Sequence, residues 1–282
     1  MFPLPIEKRG RTAKISYRVA IIIALLMWLL PLLAVMLTSI RSIADINAGN
    51  YWGVPSSIQF VKNYTDVFTT TPMGQYLINS ILIAVPAAMG AVILSTLAGF
   101  ALAKYQFKAN IWIFALFIGG NFVPFQILMI PVRDLSMSLG IYDTRWALIF
   151  FHVAFQAGFC TLFMRNFMVA IPDALIESAR VEGVSEFKIF WYVILPLVRP
   201  ALAALCVLVF TFIWNDYFWA LVLVQSDTVR PVTAGLSSLQ GQWLASWQLL
   251  SAGAIVAALP PVALFFTMQK HFIAGLTLGA VK

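Results

Sequence analysis

The chain has 282 residues, of which 61% are hydrophobic and 10% charged, with a mean hydropathy of +0.90 and a formal charge of +7. This composition excludes a soluble globule and leaves a polytopic membrane protein. The basic excess does not indicate nucleic acid, because the Lys and Arg residues flank apolar runs, where they set membrane topology.

Residues 1–17 form a polar arm with Lys8, Arg9, Arg11 and Lys14, followed by a first span at 18–40. That run is close to the ~20 residues a spanning helix needs. The apolar core of a cleaved signal peptide would be shorter, about 7 to 15 residues, so a retained span is expected. A loop rich in Asn, Ser, Thr, Gly and Pro follows at 41–75. The second run, 76–103, carries Pro86, Gly90, Ser95 and Gly99. Small residues at these spacings let helices approach closely and predict an interior helix.

Past Lys104 and Lys108, the third run (111–132) contains Gly119, Gly120, Asn121, Pro124, Gln126 and Pro131. It reads as an interrupted helix, tolerated where backbone lines a cavity or meets other helices. The fourth run, 146–168, sets His152 and Gln156 four apart on one helical face. The fifth run is 197–224 and the sixth, with Pro260 and Pro261, is 249–271; a tail occupies 273–282. Cys160 and Cys206 lie inside apolar runs and read as small packing residues.

Six spans place both termini on one side. The segments joined to the N-terminus hold thirteen Lys and Arg residues and the opposite side five, Arg41, Lys62, Arg133, Arg145 and Arg230. This asymmetry puts both termini in the cytosol. The fold class expected is therefore all-α: six transmembrane helices around a core at 71–272.

Between the fourth and fifth runs lies the polar stretch 171–200, which holds four of the chain's 11 acidic residues, Asp173, Glu177, Glu182 and Glu186. Pro172 and Asp173 suit a first helical turn. Gly183 falls where a helix ends in a left-handed turn. Ser185 is placed to cap a second helix, which Pro196 is expected to end. The spacing of Glu177-Ser178-Ala179, Gly183, Val193 and Leu195-Pro196 resembles the EAA loop of permeases from binding-protein-dependent carbohydrate ABC importers, the MalG-like type I family. Phe163-Met164-Arg165-Asn166-Phe167 before it, Trp214-Asn215-Asp216-Tyr217-Phe218-Trp219 after it and the closing Gly275 to Lys282 extend the resemblance over roughly 71–282.

The resemblance implies a permease in a bacterial inner membrane, paired with a second homologous permease to form a sugar path. An external solute-binding protein and two cytosolic ATPase subunits, which carry ATP and Mg, would complete the importer. Asp173, Glu177, Ser178, Ala179, Glu182, Gly183, Leu195 and Pro196 would then form the ATPase-coupling loop. Residues 225–248, with Arg230, Gln240 and Trp243, would face the binding protein. The chain itself has no phosphate-binding loop, so ATP hydrolysis is expected on partner subunits.

Asn215 and Asp216 lie about 15 residues beyond Pro200, roughly 23 Å along a helix and so inside the hydrocarbon layer. A buried acid there costs about 2.5 to 3.5 kcal/mol unless it meets a partner or a watery cavity. Asp216 is read either as a contact beside the solute path or as an interhelical hydrogen bond. Trp214, Tyr217, Phe218 and Trp219 suit stacking on a sugar or an interfacial aromatic belt. Asn121, Gln126, His152 and Gln156 are further path candidates. The competing classes are a secondary transporter, which would want embedded charge and a repeated half, and an intramembrane enzyme, for which neither His152 nor His271 has a sequence neighbour that suggests a dyad.

Overall fold

The structure, a computed structural model, describes residues 10–239 and 246–278, with side chains described as far as Lys270. Among these residues all regular structure is helical. In chain order the helices are α1 (Arg11–Ser39), α2 (Ile43–Asn47), α3 (Phe60–Thr69), α4 (Met73–Lys104), α5 (Asn110–Gly120), α6 (Met129–Ser138), α7 (Arg145–Val169), α8 (Ala174–Val181) and α9 (Glu186–Ile189). They continue with α10 (Leu195–Trp214), α11 (Phe218–Leu223), α12 (Val232–Ser238) and α13 (Trp247–Leu278). Five described helices or continuous helical stretches are long and apolar enough to cross a bilayer, six if the bent pair 110–138 is taken as one span.

The chain divides into two compact units, 1–71 with 239–256 and 72–238 with 257–282. In the first, α1 keeps its apolar side chains exposed along its length, and only Ser39 at its end is buried. Its length and hydropathy are those of a helix able to cross a bilayer. The helix starts earlier than the expected span, at Arg11. Beyond it, the Asn63 amide donates to the carbonyls of Ser39 and Arg41, both at 2.9 Å. Asp45 accepts the Ser56 amide at 3.0 Å. The 41–71 loop is thus held by hydrogen bonds around the end of α1, and Arg41 is 0% exposed within it.

In the second unit, α4 packs along α7 through a face of small residues, Ala84, Ala87, Ala88, Ala91, Ser95 and Gly99. A Cβ on Gly99 would sit 3.0 Å from the backbone nitrogen of Arg165 and from Cβ of Met164, so this approach requires glycine. The expectation of an interior helix holds for that face alone. The opposite stripe, with Ile81, Leu82, Met89 and Leu94, is exposed.

The interruption expected in the third run is present. Helix α5 stops at Gly120, a short 3-10 turn covers Phe125–Leu128, and the two arms meet at 90°. Pro124, lacking an N–H, stands at the bend. Two other expectations fail. Pro196 does not end the second short helix: α9 runs through a π turn at Phe190–Ile194 straight into α10. A proline at 196 lacks the N–H for the Tyr192 carbonyl and would crowd it, and the wide turn relieves that conflict. The fifth span also breaks, at Asn215–Tyr217, leaving α11 as a separate short helix.

Candidate functional site

The stretch 171–200 folds as a helix pair whose hinge is Gly183, at φ +77°. The Val184 amide reaches the Ala179 carbonyl at 3.0 Å and the Gly183 amide reaches Arg180 at 2.9 Å. These two bonds close a Schellman turn and require the left-handed residue. Ser185 takes the extended capping conformation, but its hydroxyl makes no cap bond.

The four acids of this stretch divide evenly. Asp173 accepts from the Lys104 ammonium at 2.7 Å, and the same nitrogen donates to the Ile171 carbonyl at 2.6 Å. The Lys104 side chain is only 3% exposed, so its charge is compensated where it is buried. Glu186 accepts a two-pronged bond from Arg180, at 2.6 and 3.2 Å, and another from the Tyr105 hydroxyl. The Arg180 guanidinium also lies 5.6 Å over the Tyr105 ring. Glu177 and Glu182 have no partner among the described residues and are exposed. Around them stand apolar side chains facing outward, with Val181 89% and Phe187 71% exposed and Leu175 and Tyr192 also open. Sequence reading singled out the acids and missed this apolar surface. Ser178, Ala179, Leu195 and Pro196 shape the pair: Ser178 bonds its own helix at the Leu175 carbonyl, and Ala179 supplies the turn acceptor.

Of the seven path candidates, the structure brings His152 and Asp216 together. Asn121 lines an apolar cleft of about 450 Å³ with Phe117, Phe151, Phe155 and Gly158. Its amide, however, is spent on the Phe117 carbonyl one turn back, at 2.8 Å. Asn215 does the same to Thr211 at 2.9 Å. Gln126 and Tyr217 are exposed, and Gln156 is half-buried. Asp216 holds α11 by accepting the Ala220 amide at 3.2 Å, with the Trp219 amide at 3.4 Å. Its Oδ2 faces Nε2 of buried His152 at 3.6 Å, beyond hydrogen-bond length. The fold therefore supplies the acidic neighbour that His152 lacks in sequence.

The two tryptophans do not form an interfacial belt. Trp214 is buried and donates to the Ala257 carbonyl at 3.0 Å, while Trp219 is buried against Phe151, their ring centroids 3.8 Å apart.

At the far end of α4 lies a polar latch that no local pattern announces. Asn79 is 0% exposed. Its amide nitrogen donates to the carbonyls of Thr228 and Arg230, at 3.0 and 2.9 Å, and its oxygen accepts from Gln75 and Arg145, both at 3.0 Å. Tyr76 donates to Asp227 at 3.1 Å, and Ser80 accepts the Val232 amide at 2.8 Å. Asp143 accepts the amides of Gln225 and Ser226 at 2.8 and 2.9 Å, besides the Ser226 hydroxyl. Burial pushes the Asp143 carboxyl upward, but the Ser226 and Gln225 bonds and the charge of Arg230 outweigh it and hold its pKa below 3.8.

Residues 225–232 of the loop expected at 225–248 are thus pinned, and α12 follows them. Arg230 spends its guanidinium within the loop, on the Gln225 carbonyl at 2.7 Å and on Asp227. Gln240 and Trp243 lie outside the described residues.

Residues 91–277 match the family described as the inner membrane component of binding-protein-dependent transport systems. The chain belongs to this family. The match covers the helix pair, the broken spans and the loop pinned by the latch. The permease is 35% identical to the osmoprotective compounds uptake permease protein GgtD of Synechocystis sp., over 95% of this chain and 92% of that protein. It is 32% identical to the melibiose/raffinose/stachyose import permease protein MelC of Bacillus subtilis, over 89% of this chain and 90% of the relative. In fold it matches a chain of a bacterial ABC transporter for alginate import with a TM-score of 0.78 and 23% identity, covering 96% of this permease and all of that chain.

Proposed function

We propose that the permease is one of two membrane subunits of an ATP-driven importer carrying an oligosaccharide or sugar derivative. The 171–200 helix pair docks on a cytosolic ATPase subunit. A loaded binding protein meets the opposite face, and ATP with Mg is consumed on the two ATPase partners. The observation that carries this reading is the exposed face of the helix pair: unpaired Glu177 and Glu182 beside outward-facing Val181 and Phe187. A solvated loop has no use for that combination, whereas a docking surface joins apolar anchors to charges that a partner can desolvate. The cytosolic placement is supported by the thirteen-to-five distribution of basic residues. The sugar class is supported by relatives named for melibiose, raffinose and stachyose, for arabinooligosaccharides and for alpha-glucosides.

The test is a pair of substitutions that touch neither the bilayer nor the path. An exposed ion pair is worth about 0 to 1 kcal/mol, but a charge-assisted contact at a desolvated interface about 1.5 to 3 kcal/mol. Glu177→Lys and Gly183→Val are expected to insert in normal amount and to lose uptake, with ATP hydrolysis no longer stimulated by loaded binding protein. Nothing lies within 4 Å of a Cβ on Gly183, so valine acts there through the left-handed backbone alone, at about 1 to 2 kcal/mol. Wild-type uptake in both variants would refute docking through this pair. Labelling of a cysteine at Ser57, but not at Ser185, from outside intact cells checks the orientation, and uptake of a glycoside panel in a deletion strain checks the solute.

A further inference from the structure

A second cleft, of about 550 Å³, opens where α4 ends, between the 105–109 turn, α5 and α7. Two cations line it, Lys108 and Arg165, and no acidic residue does. The polar neighbour Asn110 is already spent, donating to the carbonyls of Leu102 and Tyr105 at 3.2 and 2.8 Å. Arg165 is not spent. Its guanidinium carbon rests 4.0 Å over the Phe114 ring, which fixes its position, while Nε is buried with no hydrogen-bond partner among the described residues. A buried charged donor left unpaired is costly, and a fixed donor beside a cleft indicates a missing acceptor.

The depth of the cleft identifies the acceptor's carrier. Arg165 follows Arg145 by twenty residues of α7, about 30 Å of rise, so the two arginines bracket one hydrocarbon thickness. The cleft therefore lies at the headgroup boundary. Beside it, Phe107, Ile111 and Trp112 expose apolar surface on the same turn and helix. A free anion would gain nothing from that surface, whereas a lipid would lay its chains along it. We propose that this cleft binds the phosphate of an anionic phospholipid, paired with Arg165 and Lys108, with the acyl chains against Ile111 and Trp112.

The full-length chain, purified in neutral detergent with the subunits that accompany it, provides the test. Its thermal unfolding midpoint is followed while phosphatidylglycerol, phosphatidylcholine or inorganic phosphate is added. Phosphatidylglycerol is expected to raise the midpoint saturably, because a ligand bound to the folded state stabilises it. Phosphatidylcholine and inorganic phosphate at equal concentration are expected not to. Lys108→Gln, at an exposed position that folding does not need, is expected to require about fivefold more phosphatidylglycerol for half the effect. Arg165→Gln together with Lys108→Gln is expected to abolish the effect. An equal rise with phosphatidylcholine, a rise with inorganic phosphate, or an unchanged half-saturation in Lys108→Gln would each overturn the proposal.

Discussion

Near one end of α4, Asn79 is sealed from solvent and makes four hydrogen bonds, and the chain around it leaves Asp143, Asp227 and Arg230 all paired within the protein. At the other end, Lys104 and Tyr105 hold the helix pair by Asp173 and Glu186, yet Glu177 and Glu182 have no partner among the described residues, and Val181 and Phe187 are exposed. The same helix thus ends in a region that has used its polar groups internally and in one that leaves some exposed. The first is built for stability, so changes there should act through folding. Under the docking proposed above, changes in the second should act through function at little cost in stability.

The sharpest way to break this comparison is Asn79→Leu. It strips Arg145 Nε and the Arg230 carbonyl of their partner and leaves the Thr228 carbonyl only a 3.5 Å contact with Arg145, at about 1 to 3 kcal/mol for each buried group. A loss of at least about 3 kcal/mol is expected, read as a fall in unfolding midpoint and in membrane yield. An Asn79→Leu protein of normal stability but altered uptake would reverse the assignment of that end.

Next comes Asp216→Leu, which removes the acceptor that starts α11 and leaves a buried neighbour, His152, without its acid. Losing such a capping acceptor costs about 1 to 2 kcal/mol. Asp216→Asn, which keeps an acceptor oxygen, is expected to assemble normally. Normal yield of the leucine variant with changed solute preference would place Asp216 on the path instead.

Lys104→Ala should be milder in stability, about 1 kcal/mol, because Asp173 can return to water. It is expected to let ATP hydrolysis continue while uptake falls, since the helix pair would dock without a firm tie to α4. Equal loss of both activities would count against a transmitting role.

The smallest effect is in the pH profile of the latch. The folded pKa of Asp143 is depressed, so its stabilisation is fully present above 3.8 and disappears as pH falls through the lower folded value. Asp143→Asn is expected to flatten the unfolding midpoint of this region below about pH 4 and to leave uptake at neutral pH nearly unchanged. A wild-type acid slope in the variant would assign that dependence to another group.

What the sequence disclosed follows from the range of each signal. Hydropathy marks every span, Gly119 to Pro124 marks the bend, and Gly183 marks the left-handed hinge, because each is encoded within a few residues. Long-range pairing is not encoded that way. Asn79 meets Thr228 and Arg230, Lys104 meets Asp173, and His152 meets Asp216 across 64 to 151 positions. Neither partner alone carries a pattern. The tryptophans were misread for a related reason, since an aromatic near a membrane surface and one buried between helices look alike until the neighbouring helix is placed. Pro196 misled because a local rule for helix termination was met by a local remedy, the wide turn just before it.

That wide turn has a mechanical consequence. Because α9 passes through it into α10, the stretch from Glu186 to Trp214 is one continuous rod of 29 residues, about 43 Å long. A rod of that length is a lever. If Phe187 were displaced so that the rod tilted by about 10°, its far tip at Trp214 would swing by roughly 7 Å, more than one helical turn. The tip is tied where it ends, since Trp214 donates to the Ala257 carbonyl and Asp216 accepts from Ala220 and, at its own carbonyl, from the Thr233 hydroxyl, so motion arriving there would be passed to α11, α12 and α13.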